Sequence, residues 1–256
     1  GLFRETASGL IGRAQRAARE QMTPAEIEAE ARQVIQLAVD ECLRKGITSF
    51  HDAGVSFRTV DLYKQVAREG KLGVRLYVMV REGNASLAEN LAKYRTIGFA
   101  DNHVTLRTIK VSIDGALGPR GAWLLEPYTD LPSSTGLNTT PMDAARETAR
   151  LALQHNYQLA IHAIGDRANR ELLNLYEGAF KGVPDTRSLR WRDEHAQHLS
   201  LSDIARFAEL GVLPAMQGVH CTSDAPYVMA RLGPKRAEEG AYVWQKLMKT
   251  GAVISN

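Results

Sequence analysis

From residue 23 to its end, the chain alternates between helical segments and short β-branched segments. The helical segments open on capping signals, of which Thr23-Pro24-Ala25-Glu26 is one, and several end at glycine. Parallel strands can be joined only by long connections, so strands that alternate with helices of this length indicate a parallel sheet. The pattern predicts an α/β fold with seven strands that begin near residues 47, 74, 107, 157, 189, 212 and 252.

Two α/β architectures are compatible with this order, a doubly wound open sheet and a (β/α)8 TIM barrel. The open sheet usually carries a Gly-x-Gly-x-x-Gly fingerprint after an early strand, and the sequence has none. We therefore expect an incomplete (β/α)8 TIM barrel that forms a single partial domain over residues 1–256 and holds strands 2 to 8. The first strand is expected upstream of Gly1.

One connection differs from the others. Residues 114–140 contain glycines, prolines and aromatic residues without a helical pattern. Long connections in compact domains are usually functional lids or disordered segments. The aromatic and leucine content of this one predicts an ordered active-site loop.

Composition excludes several classes of protein. The 32 basic and 29 acidic residues are interspersed along the chain, with a net charge of +3, so no basic stripe indicates nucleic-acid binding. No apolar run approaches the ~20 residues that span a bilayer, which argues against a membrane partner. Cys42 and Cys221 form no disulfide framework and fit a reducing compartment, so we expect a cytoplasmic protein.

Histidines close two consecutive predicted strands, His162 in QLAIHAIGD and His195 in WRDEHAQH. Each alone is better explained as a core histidine bonded to a backbone carbonyl. Together they place two imidazoles on the rim where a parallel barrel collects its active-site groups, and metal sites are assembled in this way. His198 follows beyond the strand and is expected either to be structural or to support a residue that binds the metal.

Lys110 lies at the centre of the predicted strand RTIKVSID. Burial of an ammonium in a covered strand is costly and favours the neutral amine, which can react with carbon dioxide to give an anionic carbamate ligand. The alternative is that Lys110 reaches the rim or pairs with Asp114.

Three further residues are candidates for substrate contact. Gln217 and His220 follow the end of a predicted strand. Arg120 lies in the long loop, where it could bind a carboxylate or form a surface salt bridge.

Four motifs in this order, IKVSIDGALGPR, LAIHAIGDRA, DEHAQHL and AMQGVHCTSD, resemble the metal-dependent amidohydrolase superfamily. The resemblance is greatest to amidohydrolase family 3, the branch that includes N-substituted formamide deformylases, and it covers nearly the whole chain. It implies a barrel with one or two divalent metal ions, commonly zinc. Lys110 matches the lysine that many members carboxylate, and His162 and His195 match the histidines of the following two strands.

The resemblance also implies a function, hydrolysis of an amide or other C–N bond in a small molecule by a metal-activated water that attacks a carbonyl. The family's first-strand His-x-His, its catalytic aspartate and its small β-sandwich domain have no counterpart here, and the aspartate is expected beyond Asn256. We therefore expect an inactive fragment that binds metal weakly and self-associates through exposed strand edges. The alternatives are a non-catalytic barrel scaffold and an enzyme of the same fold that forms a Schiff base at Lys110.

Overall fold

A computed structural model describes residues 5–255 of the chain. The chain divides into two compact units, one ending at Ile109 and the other starting at Lys110. Across residues 5–255, every helix is too short or too polar to span a lipid bilayer.

The first unit alternates helices and strands after two N-terminal helices. A 3-10 turn over Glu5–Ser8 precedes the elements α1 (Gly9–Arg19), α2 (Pro24–Arg44), β1 (Ser49–Val55), α3 (Phe57–Arg68), β2 (Arg75–Val80), α4 (Asn84–Tyr94), β3 (Thr96–Gly98), α5 (Phe99–Asn102) and β4 (Val104–Ser112), whose last three residues belong to the second unit.

The strands of the first unit are mainly parallel. β1 pairs with β2 and β2 with β4 in parallel, whereas the short β3 pairs with β4 antiparallel. The sequence pattern did not predict β3 or the turn α5, in which Ala100, Asp101 and Asn102 all have positive φ. Left-handed residues of this kind depend on tertiary context, which explains why propensity gave no signal for them.

The capping box that predicts the start of α2 is confirmed. The Thr23 hydroxyl accepts the Glu26 N–H at 3.3 Å, and the Glu26 carboxylate accepts the Thr23 N–H at 2.7 Å. α2 ends at Arg44, and Gly46 follows with a φ of 75°, a conformation that glycine adopts without strain.

β1 is expected to mediate self-association. Among the described residues its only partner strand is β2, and Phe50 on β1 is 45% exposed. Unpaired strand edges with apolar side chains favour edge-to-edge pairing. Light scattering at increasing concentration should therefore show oligomers. Phe50→Lys should weaken them, whereas Leu137→Lys, a change at a residue with a similar exposure of 44%, should not. A chain that is monomeric at every concentration would contradict this prediction.

The second unit contains the remaining parallel strands. After β4 come α6 (Met142–Gln154), β5 (Gln158–Ala163), α7 (Asp166–Ala179), α8 (Thr186–Leu189), β6 (Arg192–His195), a 3-10 turn (Leu201–Asp203), α9 (Ile204–Leu210), β7 (Leu213–Ala215), α10 (Gly218–Gly240) and α11 (Trp244–Lys249). α10 is interrupted at Gly233, where φ is 75°. β5 pairs with β6, and β6 with β7, both in parallel.

Parallel strands joined by helices confirm the predicted α/β class, and six of the seven predicted strands form. The seventh, expected near residue 252, is wrong within the described part of the chain: only an isolated parallel bridge joins Ser255 to Ala215. Its neighbour β7 has three residues, and Pro214 at the centre has no N–H to donate to a ladder.

The long connection after β4 contains no regular helix between Ser112 and Met142. Its apolar residues are nevertheless buried. Leu117, Leu124 and Tyr128 pack in one cluster with Val228 and Leu232 of α10. This packing fixes the connection beside the end of β5.

Candidate metal centre

The two strand-end histidines lie against each other. His162 is on β5 and His195 is the last residue of β6, and their ring centroids are 4.5 Å apart at an interplanar angle of 77°. In the strand register, however, His195 lies opposite Ala163. Positive φ at His195 (87°) and at Ala196 (40°) ends the regular strand at this point. Non-glycine residues in this region are uncommon and often occur at functional sites.

His195 is neutral and is held in one orientation. Burial, followed by the neighbouring His162, lowers its pKa to about 3. Its Nδ1 lies 2.6 Å from Oε1 of Gln217, whose Nε2 donates to the Ala215 carbonyl at 2.8 Å. Because the Gln217 amide is fixed, Nδ1 of His195 must carry the hydrogen, so Nε2 has a lone pair available for a ligand.

The carboxylate of Asp114 faces the imidazole ring of His162. The Asp114 side chain is inaccessible to solvent, and Oδ1 lies 3.4 Å from Nε2 of His162. This nitrogen is buried and makes no hydrogen bond. The Asp114 carboxylate also accepts the N–H groups of Trp123 at 2.9 Å, Ile164 at 3.0 Å and Gly165 at 2.8 Å. It thereby ties the start of the long connection to the end of β5.

Lys110 lies on β4 and is buried, with 6% of its surface exposed. Its Nζ donates to the Val111 carbonyl at 3.0 Å. The charge of Lys110 contributes to lowering the pKa of His195. The amine is therefore close enough to His195 to influence its pKa.

The three candidate substrate residues lie in different surroundings. His220 stacks beside His195, with ring centroids 5.3 Å apart, and Gln217 bonds to His195. Arg120 instead forms a bidentate ion pair with Asp130, with its shorter contact at 2.8 Å, and Asp130 also pairs with Arg231. The structure therefore brings His220 and Gln217 to the histidine pair, while the observed contacts of Arg120 lie within the long connection and α10.

β6 carries further buried polar residues that the sequence reasoning missed. Arg192 and Glu194 form a buried ion pair at 2.6 Å. Asp193 is fully buried, and neither of its carboxyl oxygens accepts a hydrogen bond of normal geometry. Burial, followed by the charges of Asp114 and Glu194, raises the pKa of Asp193 well above its usual value.

The sequence reasoning also missed a second polar network, which contacts His220 through Gln197. Gln197 is 3% exposed, and its amide lies within hydrogen-bond distance of His220, Asp224 and Tyr242. Gln197 belongs to the motif DEHAQHL and Asp224 to the motif AMQGVHCTSD. Membership in these motifs was the sequence signal that could have identified both residues. His198, expected to be structural or to support a metal-binding residue, is buried beside this network with its ring centroid 5.4 Å from that of Tyr242.

The donor set fits a divalent transition metal in part. His162 and His195 each have a ring nitrogen that makes no hydrogen bond within the described residues, and imidazole nitrogens are suitable ligands for zinc. Within residues 5–255, no three His, Cys, Asp or Glu side chains converge in a metal-binding arrangement. Lys110 becomes an oxygen ligand only when it is carboxylated.

Comparison with known proteins gives consistent results. Protein LONG AFTER FAR-RED 3 of Arabidopsis thaliana is 30% identical to the chain over 254 residues, 93% of the chain and 43% of that protein. YtcJ of Bacillus subtilis (strain 168) is 30% identical over 87% of the chain and 41% of its own length. The chain spans less than half the length of both relatives.

Among solved structures, an uncharacterised metal-dependent hydrolase from Pyrococcus horikoshii OT3 matches with a TM-score of 0.79 and 25% identity. The match covers 99% of the chain and 49% of that structure. The predicted class, an incomplete (β/α)8 barrel, is thereby confirmed. The sequence also matches the profile of the Amidohydrolase family over residues 3–256. Because this match extends over nearly the entire length, the chain belongs to the Amidohydrolase family.

Proposed function

We propose that the chain is part of a metal-dependent hydrolase that cleaves amide or other C–N bonds in small molecules. His162 and His195 would hold a divalent ion, most suitably zinc, and Lys110 would join them as a carbamate. Family membership and the likeness to a metal-dependent hydrolase support the reaction class. The chain covers under half of its relatives, so the proposal concerns the whole protein.

One observation carries this proposal. Two imidazoles at the same ends of adjacent parallel strands lie 4.5 Å apart, and Gln217 leaves the Nε2 lone pair of His195 without a hydrogen-bonded partner among the described residues. A structural histidine would normally satisfy both ring nitrogens within the protein. Metal-binding histidines instead have one nitrogen bonded to an orienting group and the other directed to the ion.

The ion would supply Lewis-acid polarisation of a carbonyl and an acidified water as nucleophile. The residues of this chain provide the surroundings. Gln217 fixes the orientation of His195, and the Asp114 carboxylate faces His162. His220, which stacks beside His195, would contact the bound molecule.

Zinc binding by single-site variants tests the proposal. Isothermal titration calorimetry should show binding of zinc to this chain, weak because the donor set is incomplete. His195→Gln should lose more than the roughly 10- to 100-fold that follows removal of an orienting partner. His155→Gln is the control, because His155 follows α6 and lies before the start of β5. Equal affinities of the two variants would contradict the proposal.

The carbamate predicts an additional effect of bicarbonate. Carboxylation converts the Lys110 amine into an anionic ligand, so bicarbonate should strengthen zinc binding by the unmodified chain but not by Lys110→Met. Borohydride trapping of a carbonyl compound on Lys110, with no zinc bound under any condition, would favour the Schiff-base enzyme instead. A chain that neither binds zinc nor is trapped by borohydride would favour the non-catalytic barrel scaffold.

A further inference from the structure

A cavity in the second unit lies away from the proposed metal centre. Its walls come from the long connection, the start of α7, the residues that follow β6 and the last third of α10. Its volume is about 300 Å³, and cavities of this size accept small molecules. Lys110, His162 and His195 are absent from its walls. The cavity is therefore a site to be explained separately.

Charged side chains of both signs line this cavity. They are Glu126, Asp166, Lys235, Arg236 and Glu239. None of the five forms an ion pair with any residue in the described range 5–255. Three carboxylates and two cations around one cavity thus remain available to a molecule that carries both charges.

Asp166 has one carboxylate oxygen that is not used by the protein. Its Oδ1 accepts the N–H groups of Leu125 at 2.9 Å and Arg167 at 3.0 Å, whereas Oδ2 accepts no hydrogen bond from the described residues. Burial raises the pKa of Asp166, although these N–H groups and the charge of Arg236 act in the opposite direction. A half-buried carboxylate of this kind is stabilised by a cationic group placed beside it.

The two cations of the cavity differ in their surroundings. Lys235 is exposed, and its amine makes no hydrogen bond to a described residue. The Arg236 guanidinium donates to three backbone carbonyls and the Thr129 hydroxyl at 2.7–3.1 Å. Its donors are largely occupied, but no carboxylate neutralises its charge. An anionic group in the cavity would therefore bind Lys235 directly and be attracted to Arg236 at longer range.

Leucines form the apolar part of the cavity wall. Leu124, Leu199 and Leu232 are buried, Leu125 is half-buried, and Leu201 is 53% exposed. An apolar group that covers these side chains would be removed from water together with them, which favours binding.

We propose that this cavity binds the free zwitterion of an apolar α-amino acid. Asp166 and Glu239 receive the ammonium group, and Lys235 receives the carboxylate. The leucines contact the apolar side chain. A simple cation would be repelled by Lys235 and Arg236, and a simple anion by the three carboxylates, so a ligand with both charges is the best match. Neither metal binding nor hydrolysis is needed for this site.

Calorimetric titration with L-leucine and three analogues tests the proposal, at about pH 6, where an α-amino group is protonated. L-leucine should bind. Leucinamide lacks the carboxylate, N-acetyl-L-leucine lacks the ammonium group and glycine lacks the apolar side chain. Each analogue should bind at least ~10-fold more weakly than L-leucine. Absence of binding by L-leucine, or an equal affinity for any of the three analogues, would overturn the proposal.

Lys235→Met identifies the partner of the carboxylate. This variant should bind L-leucine at least ~10-fold more weakly than the unmodified chain, without a loss of affinity for leucinamide. Lys249→Met is the matched control, because Lys249 is exposed on α11 and lies outside the cavity. Circular dichroism spectra that match the unmodified chain confirm that both variants are folded. Equal affinities of the two variants for L-leucine would contradict the assignment of Lys235. Zinc takes no part in these titrations, so their failure is distinguishable from failure of the proposed function.

Discussion

Replacement of Asp114 by alanine is expected to lower the free energy of unfolding by about 3–5 kcal/mol. The inaccessible carboxylate accepts three backbone N–H groups, from Trp123, Ile164 and Gly165, at 2.8–3.0 Å. Hydrogen bonds to a charged acceptor contribute about 1.5–3 kcal/mol each, and the alanine variant leaves these donors without a partner. Urea unfolding followed by circular dichroism measures the loss.

Two related variants define the cause. Asp114→Asn retains one carbonyl oxygen and should recover part of the lost stability. Asp143→Ala is the control, because the Asp143 side chain is 94% exposed and its ion pair with Arg146 lies on the surface, where such pairs contribute little. A loss for Asp114→Ala no larger than that of the control would show that the carboxylate does not hold the long connection to β5.

Gly165→Ala is expected to have the second large effect. A Cβ atom at Gly165 would lie 2.0 Å from the Trp123 carbonyl oxygen and 2.5 Å from its carbon, both backbone atoms that cannot rotate away. The same carbonyl accepts the N–H groups of Arg167 and Ala168 at the start of α7. We expect a loss of at least ~2–3 kcal/mol, in the range typical of overpacking and lost capping combined.

Gly178→Ala offers a matched comparison on the same helix. Nothing lies within 4 Å of the Cβ position at Gly178, and alanine is favoured over glycine in a helix by about 0.5–1 kcal/mol. Thermal unfolding should therefore show Gly178→Ala more stable and Gly165→Ala less stable than the unmodified chain. Equal and small changes in both variants would mean that the close approach of Trp123 to Gly165 does not constrain the fold.

Local sequence signals were sufficient for most of the secondary structure. The helix that begins after Thr23 depends on a capping box, and hydrogen bonds between neighbouring residues determine its start. The strands of the parallel sheet are recognisable because β-branched residues recur between helices of sufficient length. The expected strand near residue 252 failed because the single bridge at Ser255 depends on its pairing partner β7, where Pro214 limits the ladder.

The candidate site was predictable only in part. His162 and His195 could be placed together because the ends of neighbouring parallel strands share one edge. The role of Asp114 was not predictable, since its N–H partners include Ile164 and Gly165, 50 and 51 positions away along the chain. Gln197 and Asp224 were missed for the same reason, because 27 positions separate them and only the folded chain brings them into contact.

Diffraction at the zinc absorption edge from zinc-soaked crystals tests the central claim most directly. The account predicts an anomalous peak about 2.0–2.1 Å from Nε2 of His195 and from a ring nitrogen of His162, the usual zinc–nitrogen distance. Crystals of His195→Gln should lack this peak under the same soak. Zinc density that lies elsewhere, with His162 and His195 unchanged and uncoordinated, would contradict the assignment of this pair as the metal centre.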